Sequence, residues 1–294
     1  LQENSGKFIM PMIHHTEHLE QRKESLLNNS MFSEDLFALY RSLFSLQFQS
    51  LQHLASIITD SKLIVDTTQY PMIQPHTLQF TDEIIADIKK MFKNIAALIT
   101  QYQTAYSFDT LLANLDDNPE LYKDIITALL SKDSTFEAIA HNNKLDTDEL
   151  IFVTVNAYKP LFIALKDAAL QDITQFPDYS EGLCPFCGFL PDMAKIVEPK
   201  NNKRFLHCAL CECEWEYKRV KCVACGNENT DTLGYYSYEP DEKYRFDYCN
   251  KCNTYIKTIR ITKQHDESQF DLTVENLITN FLDASALQMG YTRQ

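Results

Sequence analysis

Cys184-Pro-Phe-Cys187-Gly188, Arg204-Phe-Leu-His207-Cys208-Ala-Leu-Cys211, Lys221-Cys222-Val-Ala-Cys225-Gly226 and Cys249-Asn-Lys-Cys252 decide the fold of the second part of this 294-residue chain. Eight of its nine cysteines fall into these four Cys-x-x-Cys pairs, and Cys213 stands alone. Two thiolates three positions apart sit on one tight knuckle and supply two corners of a tetrahedron, so four pairs supply two four-thiolate metal sites. Glycine after the second cysteine, as at Gly188 and Gly226, suits the backbone turn that lets amides face the sulfurs. Sequential pairing gives site one as Cys184, Cys187, Cys208 and Cys211, and site two as Cys222, Cys225, Cys249 and Cys252. The spacing also permits an interleaved pairing.

Four thiolates around one divalent ion form a closed shell with no position for water, which excludes hydrolytic chemistry at either site. Iron in a rubredoxin-like site and zinc both suit such a donor set. Ribbons this poor in apolar residues gain roughly 10 to 16 kcal/mol from structural metal binding, so the metal is expected to be a folding requirement. Disulfides are the lesser reading. The cysteines are confined to one quarter of the chain, the rest has ordinary composition, and no export signal opens the sequence.

Hydrophobic residues make up 45% of the chain, enough for a buried core, and no apolar run is long enough to span a bilayer. The expectation is a cytoplasmic protein with no membrane partner. The net charge of -14 lies mostly outside the cysteine region, where thirteen Lys and Arg face eleven Asp and Glu between Cys184 and Lys263. An acidic chain opposes charge-driven nucleic-acid binding, although Lys218, Arg219 and Lys221 form a local basic tract.

Before the cysteines the pattern is helical. Ser33 caps a helix whose apolar positions run from Leu36 to Ile58, and Thr81 opens another with Ile84, Ile88, Met91, Phe92, Ile95 and Ile99 on one face. Asn114–Asn118 reads as a turn, Pro119 starts a third helix, and Ser134–His141 is a shorter one. Asp146 with Glu149 gives a capping box for a long helix, in which Pro160 is expected to cause a kink. Short connections favour a bundle of about five helices. No phosphate loop, nucleophile elbow or His-Glu-x-x-His motif appears on it, so no catalytic residues are assigned and the chain is not expected to be an enzyme. His14, His15 and His18 lie in a polar amino-terminal segment expected to be loosely docked.

Between the two sites Cys213, Trp215, Tyr217 and Arg219 alternate with Glu212, Glu214, Glu216 and Lys218, as on the two faces of a strand. Cys213 reads best as a packed side chain, with a reactive thiol or substitute ligand as the alternatives, and Trp215 as a core anchor. The tyrosines from Tyr235 to Tyr248, with Phe246, suggest a twisted hairpin over site two. Leu272–Met289 has the spacing of a last helix. The expected class is α+β, with an all-α bundle over 1–178, two tandem rubredoxin-like or zinc-ribbon modules over 179–221 and 222–270, and a carboxy-terminal helix over 271–294.

The residues between the cysteines are more specific than their spacing. The Cys184–Gly188 and Arg204–Cys211 runs, Glu214-Trp215, Arg219-Val-Lys221-Cys222, Cys249-Asn-Lys-Cys252-Asn-Thr-Tyr255-Ile-Lys257 and the closing Gly290-Tyr291 resemble the formate dehydrogenase accessory protein FdhE family. The resemblance covers roughly 184–293. It implies a cytoplasmic, non-catalytic factor for formate dehydrogenase biogenesis that binds the catalytic subunit. It also implies that the eight paired cysteines are ligands in sites that can hold iron. The chain departs from the family's pattern at Cys213, where Thr is usual, and in ending soon after Tyr291. Two other functions compete: a nucleic-acid-binding zinc ribbon using the basic tract, and rubredoxin-like electron transfer or thiol redox work. Sequence leaves the oligomeric state open.

Overall fold

The apolar stripe between Leu36 and Ile58 is too broad for a lone helix to shelter, and the helices before the cysteines gather around it. The computed structural model describes residues 11–28, 32–58, 65–102, 107–170, 176 and 178–293. Within these, α1 (Pro11–Gln21) and α2 (Lys23–Leu27) precede α3 (Glu34–Ile58), α4 (Asp82–Tyr102), α5 (Asp109–Asp117), α6 (Glu120–Ser131), α7 (Thr135–Asn142) and α8 (Thr147–Ala169). Part of the expected connection after α3, part of the linker near 175–183 and residues 1–10 lie outside the described residues. No described helix is long and apolar enough to cross a membrane.

Helix starts follow their caps. Ser33 Oγ accepts the Leu36 N–H at 3.1 Å and Thr81 Oγ1 that of Ile84 at 3.3 Å, while Asp146 and Glu149 complete a reciprocal capping box. Helices α3, α4 and α8 pack together around Leu43, Phe92, Ile95, Leu161 and Phe162, all buried. Pro160 lies inside α8, where its missing N–H frees the Asn156 carbonyl. The buried Gln47 of α3 donates its Nε2 to that carbonyl at 3.0 Å and to Asn156 Oδ1 at 3.1 Å. The interhelical bond thus replaces the intrahelical one.

Three expectations change. Asn114 is not in a turn but within α5, because Leu111 and Leu115, one helical turn apart, are both buried. Within the described part of the amino-terminal segment, α1 is not loosely docked: His15, His18 and Leu19 are buried, while residues 1–10 and the His14 side chain lie outside what is described. The last helix is divided at Thr279 into α9 (Leu272–Ile278) and α10 (Asn280–Gln288). The buried Thr279 hydroxyl bonds the Glu275 carbonyl at 2.7 Å, a local competitor for the helical ladder.

The cysteine region forms one sheet. Strands β1 (Pro191–Val197), β2 (Lys203–Cys208) and β3 (Glu214–Tyr217) belong to the first ribbon, and β4 (Leu233–Ser237), β5 (Tyr244–Cys249) and β6 (Thr254–Ile261) to the second. Their order is β3-β2-β1-β6-β5-β4, with a short β7 (Thr292–Arg293) beside β6. Neighbours within each ribbon are antiparallel, whereas β1 and β6 join the ribbons in parallel, Ala194 opposite Thr258. The two ribbons therefore repeat head to tail along a continuous sheet. Alternation sends its side chains to two cores. Ala194, Leu206, Trp215 and Ile256 join the bundle core, and Met193, Val197, Phe246 and Ile259 join a second core with α1, α3, α9 and α10.

Candidate metal centre

Each Cys-x-x-Cys pair closes in the same way. The residue after the second cysteine is left-handed at all four knuckles: Gly188 (φ 75°), Glu212 (φ 56°), Gly226 (φ 67°) and Asn253 (φ 55°). Its N–H returns to the carbonyl of the first cysteine at 2.9, 3.1, 3.0 and 2.8 Å respectively. The first cysteine's N–H then meets the carbonyl of the following residue: Cys184 with Phe189 at 2.9 Å, Cys208 with Cys213 at 3.0 Å, and Cys222 with Asn227 at 2.8 Å. Backbone amides also turn to the sulfurs, Leu210 N to Cys208 Sγ at 3.4 Å and Cys225 N to Cys222 Sγ at 3.5 Å.

The four knuckles meet as two groups of four thiols, Cys184, Cys187, Cys208 and Cys211 in one and Cys222, Cys225, Cys249 and Cys252 in the other. Within each group all sulfurs lie within 4.8 Å of one another, so either group can hold a metal ion. The hydrogen-bond-length contacts between knuckles are 3.5 and 3.4 Å in the first group, and 3.6 and 3.9 Å in the second. Metal–sulfur bonds of about 2.3 Å in a tetrahedron give edges of about 3.8 Å, whereas a disulfide would need about 2.05 Å. Burial pushes the Cys184 and Cys187 thiols well above their ordinary range. A cation among the sulfurs would favour their ionised form.

Cys213 is buried but lies outside the four-thiol group. In the second ribbon its place is taken by Thr254, two residues past Cys252, whose Oγ1 is 3.1 Å from Cys252 Sγ and 3.9 Å from Cys222 Sγ. Asn227, two residues past Cys225, likewise donates its Nδ2 to Cys249 Sγ at 3.6 Å. At the third and fourth knuckles position two thus faces the sulfurs. Hydrogen bonding to Cys184 favours the Cys213 thiolate, but Cys211 and burial outweigh it and hold the thiol protonated.

The surroundings of the first group come from distant parts of the chain. Met72 and Ile73 donate their N–H groups to the Pro185 and Phe186 carbonyls at 2.9 Å each, binding the loop before α4 to the first knuckle. Trp215 Nε1 donates to the Glu181 carbonyl at 3.2 Å. Glu212, read as lying on one strand face with Glu214 and Glu216, precedes β3, and its side chain is buried while theirs are exposed. It accepts from His15 Nε2 at 2.8 Å, Lys159 Nζ at 2.9 Å and Thr273 Oγ1 at 3.0 Å. The other side of the His15 ring meets Asp271. One residue past Cys211 therefore joins α1, α8 and α9, a role that its Glu-rich context did not reveal.

The model of the FdhE central domain matches residues 183–219, which include the first four-thiol group, Cys213 and Trp215. A curated FdhE homolog of Edwardsiella ictaluri is 35% identical over 153 residues, 48% of each chain. One from Yersinia pestis is 33% identical over 184 residues, 58% of this chain and 57% of the other. One from Aquifex aeolicus is 29% identical over 154 residues, 51% and 52% of the two. The chain resembles the FdhE family. These alignments span about half the length of the curated relatives. The crystal structure of the FdhE protein from Pseudomonas aeruginosa superposes with a TM-score of 0.61 at 22% identity, covering 97% of this chain and 93% of that one. At that identity the likeness concerns the fold, and it extends over the helical part as well as the FdhE-like ribbons.

The two four-thiol groups differ in exposure. All four thiols of the first are buried, whereas in the second Cys225 is exposed and Cys252 half-buried. The neighbouring basic tract is partly committed to the protein. Lys218 pairs with Glu228 at 2.6 Å and Lys221 donates to the Ser180 carbonyl at 2.8 Å.

Proposed function

We propose that the protein is a cytoplasmic, non-catalytic accessory factor for formate dehydrogenase biogenesis that binds the enzyme's catalytic subunit. The observation that carries this reading is the FdhE central-domain match on 183–219, the segment that also builds the first four-thiol group. In this reading Cys184, Cys187, Cys208 and Cys211 hold one ion, and Cys222, Cys225, Cys249 and Cys252 a second. The ions are iron in rubredoxin-like sites or zinc. They act as structural centres, since a closed four-thiolate shell offers no place for substrate. The working units are the bundle over 1–178, the ribbons over 179–221 and 222–270, and the terminal helices over 271–294.

The test is affinity capture from cells making formate dehydrogenase, together with deletion. Recovery of the catalytic subunit and loss of formate dehydrogenase activity on deletion are expected. Intact activity with no subunit recovered would overturn the reading. Metal analysis of anaerobically purified protein separates the ions, since iron gives a coloured, reducible site and zinc a colourless one.

A further inference from the structure

Where the two ribbons meet, beside the second four-thiol group, a cavity of about 200 Å³ is lined by Arg204, Arg219, Lys221 and Arg245, with Asp247 as its one carboxylate. Arg204 comes from β2 of the first ribbon and Arg245 from β5 of the second. Both are more than nine-tenths buried, at 3% and 7% exposure. Asp247 is shared between them, 3.4 Å from Arg204 and 2.9 Å from Arg245, and also accepts the Thr258 hydroxyl at 2.8 Å. Arg204 further donates to the Lys221 carbonyl at 3.2 Å. The Nε of each arginine is nevertheless buried without a hydrogen-bond partner. Buried polar groups are almost always paired, and a buried guanidinium is costly unless its charge is met. Arg219, exposed at the rim, makes no ion pair among the described residues.

We propose that this cavity is a binding site for a small oxyanion, presented by a phosphate group or a carboxylate. The planar fork of arginine matches the paired oxygens of both. Tyr235, 61% exposed, covers Arg245 with its ring 4.6 Å from the guanidinium carbon, so the cation has an aromatic wall on one side. Four cations line the cavity against one carboxylate; a four-thiolate group holding a divalent ion beside them would carry a net charge of -2, which leaves a local surplus of one positive charge in a chain of net charge -14. Burial, and then the nearby Arg204, Arg219 and Arg260, lower the Arg245 pKa against the opposing pull of Asp247. Cys222 and Cys249 form another wall, but no hydrogen bond joins any of the four cations to a cysteine sulfur among the described residues. This inference does not depend on the formate dehydrogenase reading.

The test uses the full chain with its metal content measured, titrated by calorimetry with sodium phosphate or sodium acetate against sodium chloride at matched ionic strength. Saturable binding of phosphate or acetate, absent for chloride, is the expected result. Phosphate alone would identify a phosphate group as the source, and acetate alone a carboxylate. Arg245→Gln should weaken binding about tenfold or more with metal content unchanged. Arg219→Gln, at the exposed rim, should weaken it in a variant whose folding is not in question. The proposal is overturned if neither anion binds more than chloride, or if Arg219→Gln and Arg245→Gln leave affinity unchanged. It also falls if Arg245→Gln releases metal while oxyanion binding is absent from the parent, because the arginines would then serve the thiolates.

Discussion

Cys213 and Thr254 occupy equivalent places two residues beyond their knuckles, and the equivalence settles how the odd cysteine should behave. Thr254 offers a hydroxyl to Cys252 at 3.1 Å, and a threonine at 213 can offer the same group to the first site. Cys213→Thr is therefore expected to retain the full metal content of both groups. Cys208→Ser, which removes one of the four thiols that meet, should lower the content from two ions per chain to one. Elemental analysis of the two variants checks this, and metal loss in Cys213→Thr would make Cys213 a ligand. Gly182 is the other informative residue. A Cβ there would lie 2.0 Å from the carbonyl oxygen of Val223, inside the third knuckle. Gly182→Ala must push the segment before the first site away from the second, at a cost of about 1–3 kcal/mol readable from denaturant midpoints.

Among the elements, the knuckles make an unequal pair. With Cys225 exposed and Cys252 half-buried, the second site admits a chelator that the sealed first site excludes. Metal release to a coloured chelator should be biphasic, and Cys225→Ser should remove the faster phase and leave the slower one. Single-phase release of both ions would contradict the asymmetry. Knuckles and caps are the elements that sequence expresses most directly, because cysteine spacing, Ser33, Thr81 and the Asp146–Glu149 box each act within one turn of chain. Asn114–Asn118 was less legible. Its Asn and Asp residues favour turns locally, while the buried Leu111 and Leu115 supply the opposing helical preference, and Asn114 gains a 2.9 Å bond to Asn143 that no local pattern announces. The parallel pairing of β1 with β6 was equally hidden, since alternation tells which face a strand buries and not which strand lies beside it. Glu212 shows the same limit at one position. Its acidic neighbours suggest solvent, and its three donors come from helices far away in the chain.

At the scale of the molecule, the charged cluster under the sheet ties stability to pH. Burial disfavours the charged His15 ring, but Glu212 and Asp271 on either side prevail and raise its pKa from 6.5 to about 10. The folded chain thus holds this proton more tightly than the unfolded one. Its contribution is complete below pH 6.5 and is lost as the pH rises towards 10. His15→Gln should lower stability by about 3–5 kcal/mol at neutral pH, as expected for one partner removed from a buried ion pair, and should flatten the decline above it. Urea unfolding at stepped pH checks both effects, and parallel profiles for the two proteins would remove His15 as the origin.

Glu212 is left-handed because it closes the knuckle of Cys208 and Cys211, and the same residue receives His15. Occupancy at the first site is therefore expected to be coupled to attachment of α1, since both draw on the one backbone turn. Stripping the first ion should raise deuterium uptake at the backbone amides of 15–21 above that of the loaded protein. Unchanged protection of α1 in the stripped protein would break the linkage. If it holds, α1 is a built-in gauge of whether the metal is in place.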